Sequence, residues 1–280
     1  MARYFIVREK GYTMLGLSVL IIGCGSIGLE VINRLHHDPV FKNTQILVRQ
    51  NKFEKTRADV GKKGCVVSNL DDLDPFPDIV VECAGHAAIA DFGPYFLSRG
   101  CNFAIVSTGA LSNFDVLTKL KEACLIGSSQ LIIVPGAVGG IDALAAAGHD
   151  HIEEVVYTSN KPPLSWMGTP AESKYDLLNI KETTILYQGR AREAASLFPK
   201  NANVVATIAM AGIGFDRTQV TLRADPKATG NTHHLLARGN FGELNMTTLG
   251  RSLSNNPKTS AITAFSIIRT LKNLTGNFCV

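Results

Sequence analysis

Residues 17–35 constrain the fold more than any other stretch of this chain. Residues 17–22, which end in Leu-Ile-Ile, predict a buried strand. The segment Gly23-Cys-Gly-Ser-Ile-Gly28 predicts a turn, and the residues after it predict an amphipathic helix. A GxGxxG pattern alone is weak, but between an apolar strand and a helix it is the fingerprint of a dinucleotide-binding unit. The glycines would give a tight turn, admit a pyrophosphate and let the helix pack on the strand. We therefore predict cofactor contacts from Gly23, Gly25, Ser26 and Ile27.

The alternation of strand, small polar loop and helix continues through the first half of the chain. Apolar strand-like runs cover residues 44–48, 78–82, 102–106 and 130–134. This alternation predicts a parallel sheet with helices on both faces, which is a doubly wound, Rossmann-type α/β domain. Loops at the carboxyl ends of parallel strands line the cofactor crevice, so Ala84 and Gly85 are further predicted cofactor contacts.

The pattern changes after Gly140. A strand over 154–159 is followed by Lys161-Pro-Pro. Further along, turn residues separate three alternating runs, at 219–224, 233–238 and 243–248. These runs predict hairpins of an open, mostly antiparallel sheet in an α/β substrate domain. Because such a sheet often carries the subunit contact, we expect a homodimer.

The chain is therefore expected to divide into an extension, two domains and a returning helix. We place an N-terminal extension at 1–13, the dinucleotide-binding domain at 14–136, the substrate and dimerisation domain at 137–254, and a C-terminal helix that completes the first domain at 255–280. That last helix carries Ile262, Phe265, Ile268 and Leu271 on one face.

The second predicted strand ends at Arg49 rather than at an acidic residue. In dinucleotide-binding folds an Asp or Glu there holds the ribose 2′-hydroxyl of NAD, whereas an arginine accommodates the 2′-phosphate of NADP. Arg49 therefore tilts the cofactor prediction towards NADP. A solvated arginine at a strand end is an equal alternative.

Polar residues cluster near three predicted element starts in the second half, at 198–204, 231–234 and 255–260. Amide and amine donors at such places suit a carboxylate or a nicotinamide amide, and a nearby histidine suits acid–base chemistry. The asparagines are equally good helix caps. His233 and His234 point to opposite faces of a strand, so only one of them faces a given site. His149-Asp-His151 favours a solvated loop, and we predict no metal.

Composition excludes several other classes of protein. The net charge of +4 comes without a basic cluster, which argues against nucleic acid. Six cysteines without a CxxC pair indicate reduced thiols and a cytoplasmic protein. Residues 14–22 follow basic residues and imitate a signal peptide, but cleavage there would remove the first strand and the turn. Because no other apolar run is long enough, we expect no membrane span.

Taken together, the motifs of this chain resemble those of the L-aspartate dehydrogenase family from about Met14 to the C-terminus. The segments that carry the resemblance are Gly23-Cys-Gly-Ser-Ile-Gly28, Val81-Glu-Cys-Ala-Gly-His86, Val106-Ser-Thr-Gly-Ala110, Pro135-Gly-Ala-Val-Gly-Gly140, Phe198-Pro-Lys-Asn-Ala-Asn-Val204, Gly214-Phe-Asp-Arg217, Asn231-Thr-His233 and Asn256-Pro-Lys-Thr-Ser260. Several of these motifs are not generic to dinucleotide-binding folds.

The resemblance implies oxidation of L-aspartate by NAD or NADP to iminoaspartate, which hydrolyses to oxaloacetate and ammonia, or the reverse reductive amination. Iminoaspartate is also a precursor for NAD biosynthesis. By position, the family's catalytic histidine falls on His233, and its cofactor-contacting alanine and asparagine fall on Ala137 and Asn203, with Asn201 the less favoured choice. The predicted substrate-binding residues are Lys200, Asn201, His234, Lys258 and Thr259.

Two other interpretations stay open from the sequence. One is another NAD(P)-dependent reductase of this architecture, of the homoserine dehydrogenase or dihydrodipicolinate reductase type. The latter has a His-His-x-x-K signature, whose last position is Ala237 here, although the adjacent histidines are shared. The other interpretation is a redox sensor that binds NADP without turnover.

Overall fold

A computed structural model describes residues 5–8, 11–14, 16–41, 43–253, 256–275 and 279–280 of the chain. The chain divides into two compact units. The first unit consists of Met1–Ser107, Thr118–Val134 and Ala264–Val280, and the second consists of Thr108–Leu117 and Pro135–Thr263. The predicted domain limits stay predictions, and the structure adds that a short segment after Ser107 belongs with the second unit.

The elements of the first half alternate as the sequence pattern indicates. In chain order they are β1 (Phe5–Arg8), β2 (Gly11–Met14), β3 (Ser18–Ile22), α1 (Ser26–Leu35), β4 (Asn43–Leu47), α2 (Phe53–Val60), β5 (Cys65–Val67), β6 (Ile79–Glu82), α3 (His86–Leu97), β7 (Asn102–Ile105), α4 (Phe114–Gly127) and β8 (Leu131–Ile133). β1 and β2, within the predicted N-terminal extension and its border, form an antiparallel pair of their own.

The other six strands of the first unit form one parallel sheet in the order β5-β4-β3-β6-β7-β8. The strand order reverses between β3 and β6, and ligands of such sheets bind outside the carboxyl ends of the strands at this switch point. The glycine turn follows β3, and the loop of residues 83–85 follows β6. The fold therefore brings two of the predicted cofactor-binding segments to the same edge of the sheet.

All five residues of β3 are buried, as expected for a parallel strand that helices cover on both faces. Val19 and Ile21 share a core cluster with Val31 of α1, and each fully buried side chain of this kind contributes about 1.5–3 kcal/mol. The apolar residues of β3, which precede the glycine turn, thus lie at the centre of the first unit's core.

The second unit contains a five-stranded sheet with helices. Its elements, ending with the helix that returns to the first unit, are α5 (Ile141–Ala147), β9 (Ile152–Lys161), α6 (Pro170–Lys174), β10 (Thr184–Arg190), α7 (Ala191–Leu197), α8 (Ala202–Ala211), β11 (Gln219–Ala224), β12 (Asn231–Gly239), β13 (Gly242–Gly250), β14 (Ser252–Leu253), β15 (Asn256–Ser260) and α9 (Ala261–Thr275). The sheet order is β10-β11-β9-β12-β13, in which only the β9–β11 pair is parallel. The predicted open, mostly antiparallel sheet is confirmed.

β9 is longer than the sequence pattern predicts. The strand runs on past Ser159 to Lys161, which pairs with Ala224 of β11. The residue before a proline is confined to extended backbone, so Pro162 keeps Lys161 in the strand conformation. This extension places the lysine side chain at a strand position that the shorter prediction did not assign.

α9 buries a different stripe from the one that the periodicity favours. Ile262 and Phe265 are each 41% exposed, whereas Ala264, Ile267 and Leu271 lie in the core of the first unit. The predicted shared face is therefore only partly buried. The guanidinium of Arg34 lies 4.6 Å from the centre of the Phe265 ring and covers it in part. A small residue at 264 lets the helix approach the sheet, which is a packing effect that apolar spacing alone does not reveal.

Candidate active site

The turn after β3 needs glycine at two positions for reasons internal to the protein. Gly23 has a φ of +91°, and a Cβ there would lie 2.8 Å from the Cβ of Ala84. A Cβ on Gly28 would lie 2.4 Å from the carbonyl oxygen of Gly23. The first glycine therefore allows the turn to approach the loop after β6, and the last one allows α1 to approach the turn.

Gly25 has no such reason among the described residues. Its φ is −78°, which any residue adopts, and no described atom lies within 4 Å of an ideal Cβ. It precedes Ser26 and Ile27, the first residues of α1, and no side chain caps that helix. A Cβ on Gly85, whose φ is +111°, would likewise have no described atom within 4 Å. Open space at the start of a helix that no side chain caps fits the phosphates of a dinucleotide, so the residues present fit a pyridine nucleotide.

Arg49 is exposed and follows Val48, the residue after β4. β4 pairs with β3, the strand that leads into the glycine turn. In the described part of the chain its side chain makes no hydrogen bond and no ion pair. The guanidinium is therefore available to a 2′-phosphate or to solvent, and the NADP preference stays a prediction.

Glu82, at the end of β6, is a site residue that sequence reasoning missed. The carboxylate is fully buried, and its Oε1 accepts the backbone N–H groups of Ala84 (2.7 Å) and Gly85 (2.6 Å). Ser107, after β7, donates its hydroxyl to Oε1 (2.9 Å) and its N–H to Oε2 (3.0 Å). An acid at the end of an apolar strand was the available signal. Glu82 fixes the shape of two loops at the carboxyl edge of the sheet.

The same loop carries a thiol that is not poised as a nucleophile. Burial raises the pKa of Cys83 well above its ordinary value, and the nearby charge of Glu82 raises it further. A thiol with a raised pKa stays protonated and packs as a small apolar group.

In the second unit, His233 of β12 forms a buried pair with Tyr157 of β9. The Tyr157 hydroxyl oxygen lies 2.7 Å from His233 Nδ1, and the two side chains are only 1% and 4% exposed. Burial raises the pKa of Tyr157, so its hydroxyl keeps its proton. Either atom of this pair can be the donor, and when the hydroxyl donates to Nδ1 the proton of the neutral imidazole resides on Nε2.

Burial lowers the pKa of His233 to about 3, and the positive charge of Lys161 lowers it in the same direction. The imidazole is therefore neutral at every pH near physiological. A neutral imidazole with a proton on Nε2 presents a hydrogen-bond donor to its surroundings.

Lys161 lies on the same face of the sheet as His233 and Tyr157, because side chains alternate along β9. Its ammonium donates a short hydrogen bond to Oδ1 of Asn201 and lies 5.3 Å from the centre of the Trp166 ring. Burial lowers the pKa of Lys161 to about 8. The structure thus brings the predicted residues His233 and Asn201 together with a lysine to which the sequence analysis gave no role.

His234 does not join this group. Its side chain points to the opposite face of the sheet, where Nε2 lies 2.9 Å from Oδ1 of Asn245. The structure therefore separates the predicted substrate-binding residue His234 from the predicted catalytic residue His233.

The two cofactor positions carried over by resemblance lie in the second unit, one at the start of α8 and one in the loop before α5. Asn203, in the first turn of α8, accepts the Gly109 N–H on Oδ1 (3.2 Å), and its carbonyl oxygen accepts the Thr108 hydroxyl (2.6 Å). Ala137 is half-buried in the loop before α5, in which the Gly139 N–H donates to the Thr248 hydroxyl (3.2 Å).

Three predicted substrate-binding side chains, those of Lys200, Lys258 and Thr259, lie outside what the structure describes. Within the described ranges, no group of three or more His, Cys, Asp or Glu side chains is arranged to hold a metal ion. None of the helices in the described part of the chain combines the length and apolar character that crossing a bilayer requires.

A surface cavity of about 500 Å³ lies at the end of α1 in the first unit, and its lining includes His37, Asp38 and Lys272. It contains none of the predicted functional residues. The chemistry-bearing groups described above are therefore not those of this cavity.

The sheet order and the open glycine turn of the first unit define the dinucleotide-binding domain of an oxidoreductase, which indicates a pyridine nucleotide cofactor. The family model of the homoserine dehydrogenase NAD-binding domain matches residues 23–125, and that of the aspartate dehydrogenase C-terminal region matches residues 142–274. L-Aspartate dehydrogenases of Cupriavidus taiwanensis and Ralstonia pickettii are 44% and 43% identical over 260 residues, which cover 92% of this chain and 97% of each relative. The chain belongs to the L-aspartate dehydrogenase family.

The solved structures agree with this assignment. The crystal structure of aspartate dehydrogenase from Thermotoga maritima is 25% identical in sequence and matches with a TM-score of 0.76, covering 95% of this chain and 100% of that one. The predicted family and the predicted fold class are confirmed.

Proposed function

We propose that this chain is an NAD(P)-dependent L-aspartate dehydrogenase. It would oxidise L-aspartate to iminoaspartate, which hydrolyses to oxaloacetate and ammonia, or carry out the reverse reductive amination. Membership of the family supports the reaction. The observation that supports the site most directly is the buried His233–Tyr157 pair beside the ammonium of Lys161. An imidazole next to a cation suits an amino acid that carries two carboxylates.

The coenzyme would be held by the glycine turn, by the loop that Glu82 shapes, and by the positions that the resemblance adds. These residues are Gly23, Gly25, Ser26, Ile27, Ala84, Gly85, Ala137 and Asn203. Arg49 favours NADP over NAD, because an unpaired guanidinium can bind the 2′-phosphate bidentately. A bound pyridine nucleotide would supply the hydride acceptor for the oxidation of L-aspartate at Cα.

His233 would handle a proton at Nε2. When Tyr157 donates to Nδ1, Nε2 carries the proton, so accepting a proton from the amine or from water at Nε2 requires the other tautomer. In that tautomer Nδ1–H donates to the oxygen of Tyr157. A hydroxyl changes from donor to acceptor by rotating its hydrogen, while its oxygen stays in place. Tyr157 thus holds the ring in both states.

Substitution of His233 tests the proposal. With L-aspartate and NAD or NADP, the wild type should form reduced coenzyme, followed by absorbance. His233→Ala should lose about 10²–10⁴-fold in kcat/KM while coenzyme affinity, measured by fluorescence titration, stays unchanged. His151→Ala removes an exposed imidazole before β9 and serves as the matched control. Full turnover by His233→Ala, or coenzyme binding by the wild type without turnover of L-aspartate, would contradict the proposal.

Three further assignments belong to the same proposal. Six cysteines without a CxxC pair support a cytoplasmic location. A homodimer through the open sheet is supported by β13, most of whose residues are exposed, including Leu249 at 63%. A role in NAD biosynthesis rests on iminoaspartate as the product.

A further inference from the structure

Lys161 is a cation without an anion. In the part of the chain that the structure describes, no carboxylate oxygen lies within 4.0 Å of its Nζ, and its hydrogen-bond partner is the neutral side chain of Asn201. The Trp166 ring covers one side of the ammonium. Since burial of a charge without a counter-charge is unfavourable, this arrangement needs an explanation beyond folding.

A second polar group on the same face lacks a partner. Ser159 is 1% exposed, and among the described residues its hydroxyl oxygen makes no hydrogen bond of acceptable geometry, although the hydroxyl of Tyr157 lies near it. It precedes Lys161 by two residues on β9, so the two side chains share a face, and it lies directly across the β9–β12 pair from His233. Buried hydroxyls without a partner are rare in folded proteins and mark positions where a ligand or water completes the bonding.

We propose that Lys161 and Ser159 form the subsite that binds one carboxylate of the dicarboxylic amino acid, beside His233. The inference rests on the proposed function and adds a specificity-determining pair to it. An ammonium supplies charge and donors, and a hydroxyl supplies one more donor, which together match a carboxylate. Asn201 acts as a positioning residue, because its carbonyl oxygen aims the ammonium.

The same pairing explains why Lys161 is not the base of the reaction. A carboxylate next to the ammonium favours the charged form, so Nζ keeps its proton while substrate is bound. The bound carboxylate also offsets the Lys161 charge, which adds to burial in lowering the pKa of His233. Only that smaller part of the shift is relieved while substrate is bound.

The experiment uses the full chain and the variants Lys161→Met, Lys161→Arg and Ser159→Ala, with Lys174→Met as the control for loss of an exposed lysine of the same unit. Steady-state kinetics give kcat and KM for L-aspartate at saturating coenzyme, and calorimetry gives the Kd of succinate, a dicarboxylate that is not oxidised at a carbon bearing an amine. Lys161→Met should raise both KM and the succinate Kd about 10- to 100-fold. Ser159→Ala should raise them about 5-fold, and Lys161→Arg should lose less than Lys161→Met.

Three readouts separate this role from a structural one. Coenzyme Kd and thermal midpoint should not worsen in Lys161→Met, because methionine fills the volume of the aliphatic stem and removes an uncompensated charge. Unchanged KM and succinate Kd in Lys161→Met, with an active wild type, would overturn the inference but leave the proposed function intact. A wild type that binds succinate through Lys161 but does not oxidise L-aspartate would overturn the proposed function and retain the carboxylate subsite. If Lys161→Met fails to fold, Lys161→Arg and Ser159→Ala decide, and normal succinate binding by both overturns the inference.

Discussion

Acidification should destabilise the second unit through His233. The imidazole has a pKa of about 3 in the folded protein, against 6.5 as its ordinary value, so below pH 6.5 the unfolded chain binds a proton that the folded chain does not. The contribution is fully present above pH 6.5 and is lost as the pH falls from there towards 3. Each pH unit in that window costs about 1.4 kcal/mol, so the loss is about 2 kcal/mol on going from pH 7 to pH 5.

The assay is urea unfolding at both pH values, followed by the fluorescence of Trp166. This side chain is the sole tryptophan and lies fully buried in the second unit, so its signal reports that unit. Other groups titrate in the same range, and the comparison with His233→Gln removes their contribution. The wild type should lose about 2 kcal/mol more than the variant between pH 7 and pH 5. An equal loss in both proteins would show that His233 is not buried as a neutral group, and its proposed proton transfer at Nε2 would then be wrong.

Three further substitutions test the coenzyme edge of the first unit. Gly23→Ala should destabilise the protein by about 1–3 kcal/mol in denaturant unfolding, because its Cβ meets Ala84 and its φ is positive. Gly25→Ala, in contrast, should leave the unfolding free energy within about 1 kcal/mol while it weakens coenzyme binding, since its Cβ occupies open space; equal effects of both variants would refute this distinction. Glu82→Gln should raise the coenzyme Kd and lower the unfolding free energy by about 2 kcal/mol. The reason is that in either orientation the new amide NH₂ faces a backbone N–H donor. Normal values of both quantities would contradict the role assigned to this carboxylate.

The first unit was predictable because its signals are local. A strand that is apolar throughout, followed by GxGxxG and an amphipathic helix, leaves few alternatives, and the parallel order follows from the repeated pattern. Glu82 escaped prediction since its partner Ser107 lies 25 residues away and meets it only when β6 and β7 pair. The buried face of α9 escaped because two apolar stripes compete on that helix, and only the packing around Ala264 decides between them.

In the second unit, sequence patterns do not predict which side chains meet on one face of the sheet. Alternation along β12 separates His233 from His234 in the sequence itself, but which of them is covered depends on the helices that pack on one face. The grouping of Ser159, Lys161 and His233 depends on the register of β9 against β12 and on the end of β9. Strand register is a long-range property, so neither residue type nor spacing announces that these side chains meet.

The glycine turn contains two kinds of glycine: those that folding requires, and one that we assign to coenzyme binding. Close contacts within the protein require glycine at positions 23 and 28. A variant that folds but binds no coenzyme should therefore keep both. No described contact within the protein requires glycine at position 25, so we assign that requirement to the bound coenzyme. In a mutagenised library selected for folding alone, position 25 should accept other residues while 23 and 28 resist them. A library selected for catalysis should restore glycine there, which makes that single position a marker of coenzyme use as distinct from architecture.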